Sequence, residues 1–339
     1  MKIAIALSGG IDSAVSAYLL KKEGYDLVAI TFKLFDSHEE NIERASQIAN
    51  KLKISHYIID LRKKFKKEIV DYFITSYEHG KTPNPCALCN RLIKFGEAFN
   101  YAIYQLRANK FATGHYIETE KYKDEILFKR GKDKNKDQSY FLALVKKEVI
   151  PYLIFPLGDW EKEEVKKLAK TFFSFLKTNE SQDICFLKGK TLKEFLANYL
   201  SKKNGPIVYD NKIVGFHPGI YWFTVGQRKG LGIPLGKPLY VISLDPETNT
   251  IFLGEKEKLY SKGLILENLN LHLPLEKWED PWAQIRYRTK PVKVKNIFKE
   301  NSNYVVLFEE PVKSVTPGQV CAFYEKNYLL GGGIIKNKY

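Results

Sequence analysis

A short apolar run, KIAIAL at residues 2–7, ends abruptly in Ser-Gly-Gly and gives way to helical spacing. The run is too continuous for a half-exposed strand, so it reads as a strand buried on both faces. Over residues 12–23 the apolar Val15, Leu19 and Leu20 fall on one helical face. The alternation continues. Residues 26–32, 56–61 and 110–116 are strand-like, and 39–52, 63–77 and 90–106 carry helical patterns. Strands alternating with helices predict a parallel sheet covered on both sides, with ligands at the carboxyl ends of its strands. The expected fold class is therefore α/β, a doubly wound parallel sheet, in the first two hundred residues.

The loop after the first strand, IALSGGIDSAV, is the most informative turn. Ser8, Gly9 and Gly10 let backbone N–H groups point inward, and Asp12 and Ser13 open the helix. Such a loop can hold a polyphosphate against a helix N-terminus. The plainer alternative is a tight strand-to-helix turn with a cap. The loop lacks the G-K-[ST] of a Walker-type site and the GxGxxG spacing of dinucleotide folds. Ser-Gly-Gly-x-Asp-Ser in this context resembles the PP-loop of ATP pyrophosphatases, the adenine nucleotide alpha hydrolase-like enzymes. Those enzymes split ATP between its α and β phosphates, activating a carbonyl or carboxylate as an adenylate.

Past Pro151 a helical stretch covers residues 161–170, followed by ESQDICF. Near Lys202 the character changes. SKKNGPIVYDNK has turn chemistry, YWFTVGQRKGLGIPLG and PLYVISLDPETNTIFLG read as short strands, and a hairpin is expected at 245–249. Further strands follow in AQIRYR, VKVKNIF, NYVVLFEE, QVCAFYE and YLLGGGII. The expectation is a catalytic α/β domain over 1–204, a small middle β domain over 205–259 and a C-terminal β-barrel over 260–339.

The chain has 339 residues, 44% of them hydrophobic, and a net charge of +15, a balance that favours a polyanionic partner such as nucleic acid. The N-terminal apolar run is too short for a signal-peptide core or a membrane span, so a soluble cytoplasmic protein is expected. Four cysteines do not make a secreted disulfide framework. Cys86 and Cys89, in NPCALCNRLIKF, could be a metal clip, a redox pair or half of a site completed elsewhere. Cys185 and Cys321, taken alone, read as core residues.

GKTPNPCALCNRLIKFG, ATGHY, KDQSYFL, FPLGDWEKEEV, ESQDICF, FTVGQRKGLGI, RYR and VTPGQVCAFY occur in this order. With the loop at Ser8 they resemble the bacterial tRNA 2-thiouridylase family over nearly the whole chain. The resemblance implies ATP-dependent 2-thiolation of the wobble uridine (U34) of the Lys, Glu and Gln tRNAs. It implies Cys89 and Cys185 as the catalytic pair: Cys185 receives sulfur as a persulfide, Cys89 is the nucleophile that resolves the intermediate, and a transient disulfide joins them. ATP, with Mg2+, would lie on Ala6, Leu7, Ser8, Gly9, Gly10, Ile11, Asp12 and Ser13, with Phe32 at the adenine edge and Gly114 nearby; Asp12 is also a catalytic candidate. The target base would meet Asn84, Pro85 and Cys86, and the tRNA would meet His115, Lys136, Asp137, Gln138, Arg286, Tyr287 and Gln319. A sulfur donor, such as a cysteine desulfurase or a sulfur carrier, is the further partner; neither membrane nor DNA is expected. The 84–89 segment is expected to fold over the phosphate site as a loop. The setting should lower the thiol pKa values, with help from a helix beginning near Asn90.

The sequence departs from relatives in places. Cys86 stands where relatives vary between Asp and Cys, Phe32 where Met is common, and Leu34 and Phe35 replace an Asn-Trp type pair. Cys86 also opens a rival route, a [4Fe–4S] cluster on Cys86, Cys89 and Cys185 with one iron left to bind sulfide. Two other classes remain at this stage: a PP-loop ligase acting on a small molecule, and a tRNA-binding protein without catalysis.

Overall fold

The computed structural model describes residues 1–176, 184–233 and 236–339. The first seven strands are β1 (Lys2–Ala6), β2 (Asp26–Lys33), β3 (Ser55–Asp60), β4 (Lys110–Ala112), β5 (Ile117–Tyr122), β6 (Glu125–Arg130) and β7 (Leu153–Ile154). Five form a wholly parallel sheet in the order β3-β2-β1-β4-β7. The chain runs outward from β1 to β3 on one side and then returns to β4 on the other. Strand order therefore reverses between β1 and β4, and the crevice at their carboxyl ends is the expected place for a ligand.

Successive residues of β1 serve opposite layers. Ile3 and Ile5 pack with Val15, Ile48 and Val165, under helices α1 (Ile11–Lys22), α2 (Glu39–Leu52) and the helix Lys162–Phe172. Ala4 faces the other layer, with Phe95, Phe99 and Phe111. Asp12 in the first turn of α1 and Lys21 and Lys22 in its last complement the helix dipole.

The middle region forms a second sheet from β8 (Gly205–Tyr209), β9 (Lys212–His217), β10 (Tyr240–Asp245) and β11 (Thr250–Gly254), in the order β10-β11-β8-β9. Asp210 and Asn211 both take positive φ between β8 and β9, the two-residue turn that suits strand twist. The expected hairpin at 245–249 is present. The strand expected from YWFTVGQRKGLG is absent: residues Ile220–Trp222 make a single 3-10 turn, and Gly226, Gly230 and Gly232 take positive φ, which interrupts extended pairing.

Six antiparallel strands close the C-terminal barrel: β12 (Tyr260–Leu271), β13 (Trp282–Gln284), β14 (Val292–Glu300), β15 (Asn303–Lys313), β16 (Val320–Glu325) and β17 (Tyr328–Lys338). Their order is β12-β15-β14-β13-β16-β17, with β17 returning to β12. The β5–β6 hairpin attaches to β17, so a segment from the first half of the chain extends the barrel sheet. Cys321 is fully buried inside the barrel, as its alternation with hydrophobic residues predicts. Among the described residues no helix is long and apolar enough to cross a membrane.

Candidate functional site

The loops leaving β1 and β4 meet at the reversal point. Gly9 has φ +76°, and a Cβ there would lie 2.5 Å from the Asn41 carbonyl oxygen on α2. A Cβ on Gly114 would lie 2.9 Å from the backbone of Asp12 and Ser13. Both positions need glycine because backbone, not a movable side chain, occupies the space. Ser13 Oγ accepts from the Ser8 N–H at 3.1 Å and lies 3.0 Å from the Gly10 carbonyl, to which it donates. The loop is thus held open by its own serine before any ligand arrives.

Asp12 projects from the first turn of α1. Both its oxygens are held by Lys162 Nζ, at 2.6 and 2.8 Å, and Tyr116 donates its hydroxyl to Oδ1 at 2.7 Å. Lys162 begins its helix in the FPLGDWEKEEV motif and is buried. Sequence reasoning quoted that motif without assigning this lysine a role, because its partner lies 150 residues away.

A cavity of about 400 Å³ opens over this loop. Ala6, Leu7, Ser8, Asp12, Ser13, Phe32 and Gly114 line one part of it. Pro85, Cys86, Cys89, His115, Gln138 and Cys185 line another. Gly9, Gly10 and Ile11 complete the loop behind the lining residues. The two cysteines that are 96 positions apart in sequence therefore face one chamber with the phosphate loop. Within the expected ESQDICF motif, residues 180–183 lie outside the described residues.

The segment at 84–89 is a helix rather than a loop. Asn84 Oδ1 accepts from the Ala87 N–H at 3.1 Å as the N-cap, and Pro85 occupies the first position of the helix Pro85–Cys89. Both choices are the favoured ones for a helix start. The helix runs without a break into a π-helical stretch, Asn90–Ala98. Asn90 consequently does not begin a helix, and Cys89 gains nothing from a helix N-terminus. The expected lowering of thiol pKa is also reversed. Burial pushes Cys89 up to about 12 and Cys185 up to about 11, and raises Cys86. Lys94 opposes burial at all three, but burial dominates. Cys86 and Cys185 touch solvent through the chamber, while protein encloses the thiols closely enough to solvate a thiolate poorly.

His115 is buried, and its Nδ1 lies 2.6 Å from Thr113 Oγ1. Burial holds its pKa well below the ordinary histidine value, so the ring is neutral at physiological pH. Gln138 accepts from the Tyr116 N–H at 3.1 Å. The carboxylate of Asp137 is buried on Arg130 and Ser139. Tyr287 donates to the Asp137 carbonyl at 3.4 Å, and Arg286 donates to Thr316 Oγ1 at 2.8 Å. Gln319 donates to the Thr82 carbonyl at 2.8 Å. Lys136 is half-buried beside them, its N–H bonded to the Asp133 carbonyl. These residues from three parts of the chain thus share one seam between the parallel sheet and the barrel. The same seam anchors the entry to the Cys86–Cys89 helix, because the Thr82 N–H donates to Pro317 O at 2.8 Å.

Cys86, Cys89 and Cys185 line one chamber, yet among the described residues no three His, Cys, Asp or Glu side chains converge as a metal-holding group. As placed, the three thiols do not fit an iron–sulfur cluster. Asp12 is the only carboxylate among the described lining residues, so a Mg2+ ion would take its ligands chiefly from phosphate and water.

Comparison with known proteins agrees with this architecture. Residues 1–189 match the tRNA methyl transferase HUP domain, 193–255 the tRNA methyl transferase PRC-barrel domain, and 261–335 the aminomethyltransferase beta-barrel domain. The tRNA-specific 2-thiouridylase MnmA of Aquifex aeolicus (strain VF5) is 44% identical over 352 aligned residues, covering 99% of both chains. The enzyme of the same name from Persephonella marina (strain DSM 14350 / EX-H1) is 43% identical, covering 99% of this chain and 100% of its own. That from Hydrogenobaculum sp. (strain Y04AAS1) is 40% identical with the same coverage. With similarity of this strength along its full length, the chain belongs to the tRNA-specific 2-thiouridylase family.

Proposed function

We propose that this protein is an ATP-dependent tRNA sulfurtransferase that converts the wobble uridine (U34) of the Lys, Glu and Gln tRNAs to 2-thiouridine in the cytoplasm. The observation that carries the reading is the single chamber shared by the Ser8–Ser13 loop, Cys89 and Cys185. Activation and sulfur transfer then occur on one base without its release.

The C2 carbonyl of uracil is a poor electrophile and its oxygen a poor leaving group. The loop, with Asp12 and Gly114 beside it, would hold ATP and Mg2+, and Phe32 would border the adenine. Uracil O2 attacks the α-phosphate, an O–P bond forms, and pyrophosphate leaves. The terminal sulfur of a Cys185 persulfide then bonds to C2, and the C2–O bond breaks to release AMP. Cys89 attacks the Cys185 sulfur; the S–S bond to the transferred sulfur breaks, its electron pair goes to that sulfur, and a Cys89–Cys185 disulfide remains. An external thiol reductant resets the pair, and a persulfide-bearing donor protein reloads Cys185.

The target uridine must leave the anticodon stack to enter the chamber. Pro85 and Cys86 stand at its wall, and the seam of Lys136, Arg286, Tyr287 and Gln319 would meet the surrounding tRNA. The net charge of +15 supports backbone grip that weakens with salt.

The test is nucleoside mass spectrometry of tRNA from a thiouridylase-deficient host expressing this chain. Wobble 2-thiouridine should return with the wild type and not with Cys185→Ser. Its absence with soluble wild type, repeated in vitro with sulfide and ATP, would refute the reading.

A further inference from the structure

The chamber sets a problem that the two cysteines do not solve alone. Sulfur transfer needs a sulfur anion, and burial resists one at every thiol in the chamber. The groups facing the thiols can be named. They are Cys86, Cys89 and Cys185 themselves, neutral His115, His38, the Lys162-paired Asp12, and Lys94. Lys94 is the only cationic side chain among the described residues lining the chamber. Among the described residues no carboxylate pairs with it.

Its position depends on an unusual local winding. Lys94 lies five residues after Cys89. In an α-helix, residues three or four apart share a face. The Asn90–Ala98 stretch is instead π-helical, and the Phe99 N–H donates to the Lys94 carbonyl five residues back. A π turn stacks residues five apart, and such turns gather at functional sites. Gly96 fits the wider turn: a Cβ there would sit 2.9 Å from the Arg91 carbonyl oxygen, again five residues back. The winding thus sets Cys89 and Lys94 towards the same chamber from one continuous helix.

Resting on the sulfurtransferase reading above, we propose that Lys94 is the positioning cation of sulfur transfer, holding the Cys89 thiolate and the sulfur anion on Cys185 in the chamber they share. It acts through those sulfurs rather than on the uracil. Lysine suits the task because its ammonium is a compact point charge on a flexible stem, able to follow the charge from one sulfur to the other.

The test reads the thiols directly, without tRNA or ATP. Wild type, Lys94→Met, Lys94→Gln and Lys94→Arg are alkylated with iodoacetamide at fixed pH between 7 and 9, and Cys89 and Cys185 are followed separately by peptide mass spectrometry. Both neutral variants should react about tenfold more slowly at pH 8, as expected of a thiol raised by about one further unit, and the Arg variant should stay near wild type. Unchanged rates in a folded neutral variant would overturn the proposal. So would an Arg variant that behaves like Met. A parallel nucleoside assay on the wild type separates the two claims: loss of thiolation with an intact alkylation shift removes the sulfurtransferase reading and leaves Lys94 as the cation of the thiol site.

Discussion

Replacing Lys162 by Met tests how the phosphate loop is charged. Lys162 Nζ contacts both oxygens of Asp12, at 2.6 and 2.8 Å, with the lysine side chain 7% exposed and the aspartate 34%. Removing the ammonium takes the balancing charge from the carboxylate and leaves the Tyr116 hydroxyl donating to it. Stranding one member of a buried pair costs about 3–5 kcal/mol. Since a third of Asp12 still meets water, screening reduces the cost to about 2 kcal/mol. An uncompensated carboxylate also faces an incoming triphosphate, and about 1.4 kcal/mol of repulsion is a tenfold loss of affinity. Calorimetric titration with ATP and urea unfolding should show both effects. Asp12→Asn combined with Lys162→Met should recover most of the stability loss, since the stranded charge is gone. Additive stability losses in the double variant, or an unchanged ATP Kd in the single one, would refute the reasoning.

Cys89→Ser and Cys185→Ser should each abolish 2-thiouridine formation while tRNA affinity, read by filter binding, changes less than about twofold, since neither thiol carries charge for the phosphate backbone. Gly114→Ala pushes a methyl group against the Asp12 and Ser13 backbone, so ATP binding should be lost and stability should fall by about 1–3 kcal/mol. Gln319→Ala removes the donor to the Thr82 carbonyl; hydrogen exchange near residues 81–84 should speed up, with about 1–2 kcal/mol lost overall. His272, fully buried against the Val145 carbonyl, has its pKa lowered to about 4 by burial. The unfolded chain takes up that proton first, so this contribution is intact above pH 6.5 and falls away as pH drops toward 4. About 3 kcal/mol should be lost in that window, and Asn or Gln at 272 should flatten the urea-midpoint profile there.

Local patterns carried most of the first sheet into view. The helix at 39–52 was legible at both ends because Glu39 and Glu40 open it, Lys51 closes it and its apolar residues keep one face. The β5–β6 hairpin escaped notice because its place is fixed by pairing with β17, about two hundred residues later in the chain. YWFTVGQRKGLG misled in the opposite sense: aromatic residues suggested a strand, while its glycines already carried the turns. At the site, Asn84 and Pro85 were read as a stiff loop although they are also a helix cap and a first helical residue. The π winding that aims Lys94 has no signature in a 3.6-residue pattern.

The thiols show why residue identity alone misjudged the chemistry. The expected setting and a helix start near Asn90 suggested thiols with lowered pKa values, yet only Lys94 among the described Lys and Arg residues lines the chamber, and burial outweighs it. That balance has a chemical use. Intrinsic nucleophilicity of a thiolate falls as its pKa falls. A strongly acidified thiol would be ionised at all times but would attack the weakly electrophilic uracil C2 and the persulfide sulfur poorly, and it would react with stray oxidants in the empty chamber. A thiol held near 11 or 12 is protected at rest and strongly nucleophilic once ionised. The site then needs a means of populating that anion, and the Lys94 ammonium on the same helix as Cys89 lowers its cost while burial keeps both thiols mostly protonated at rest.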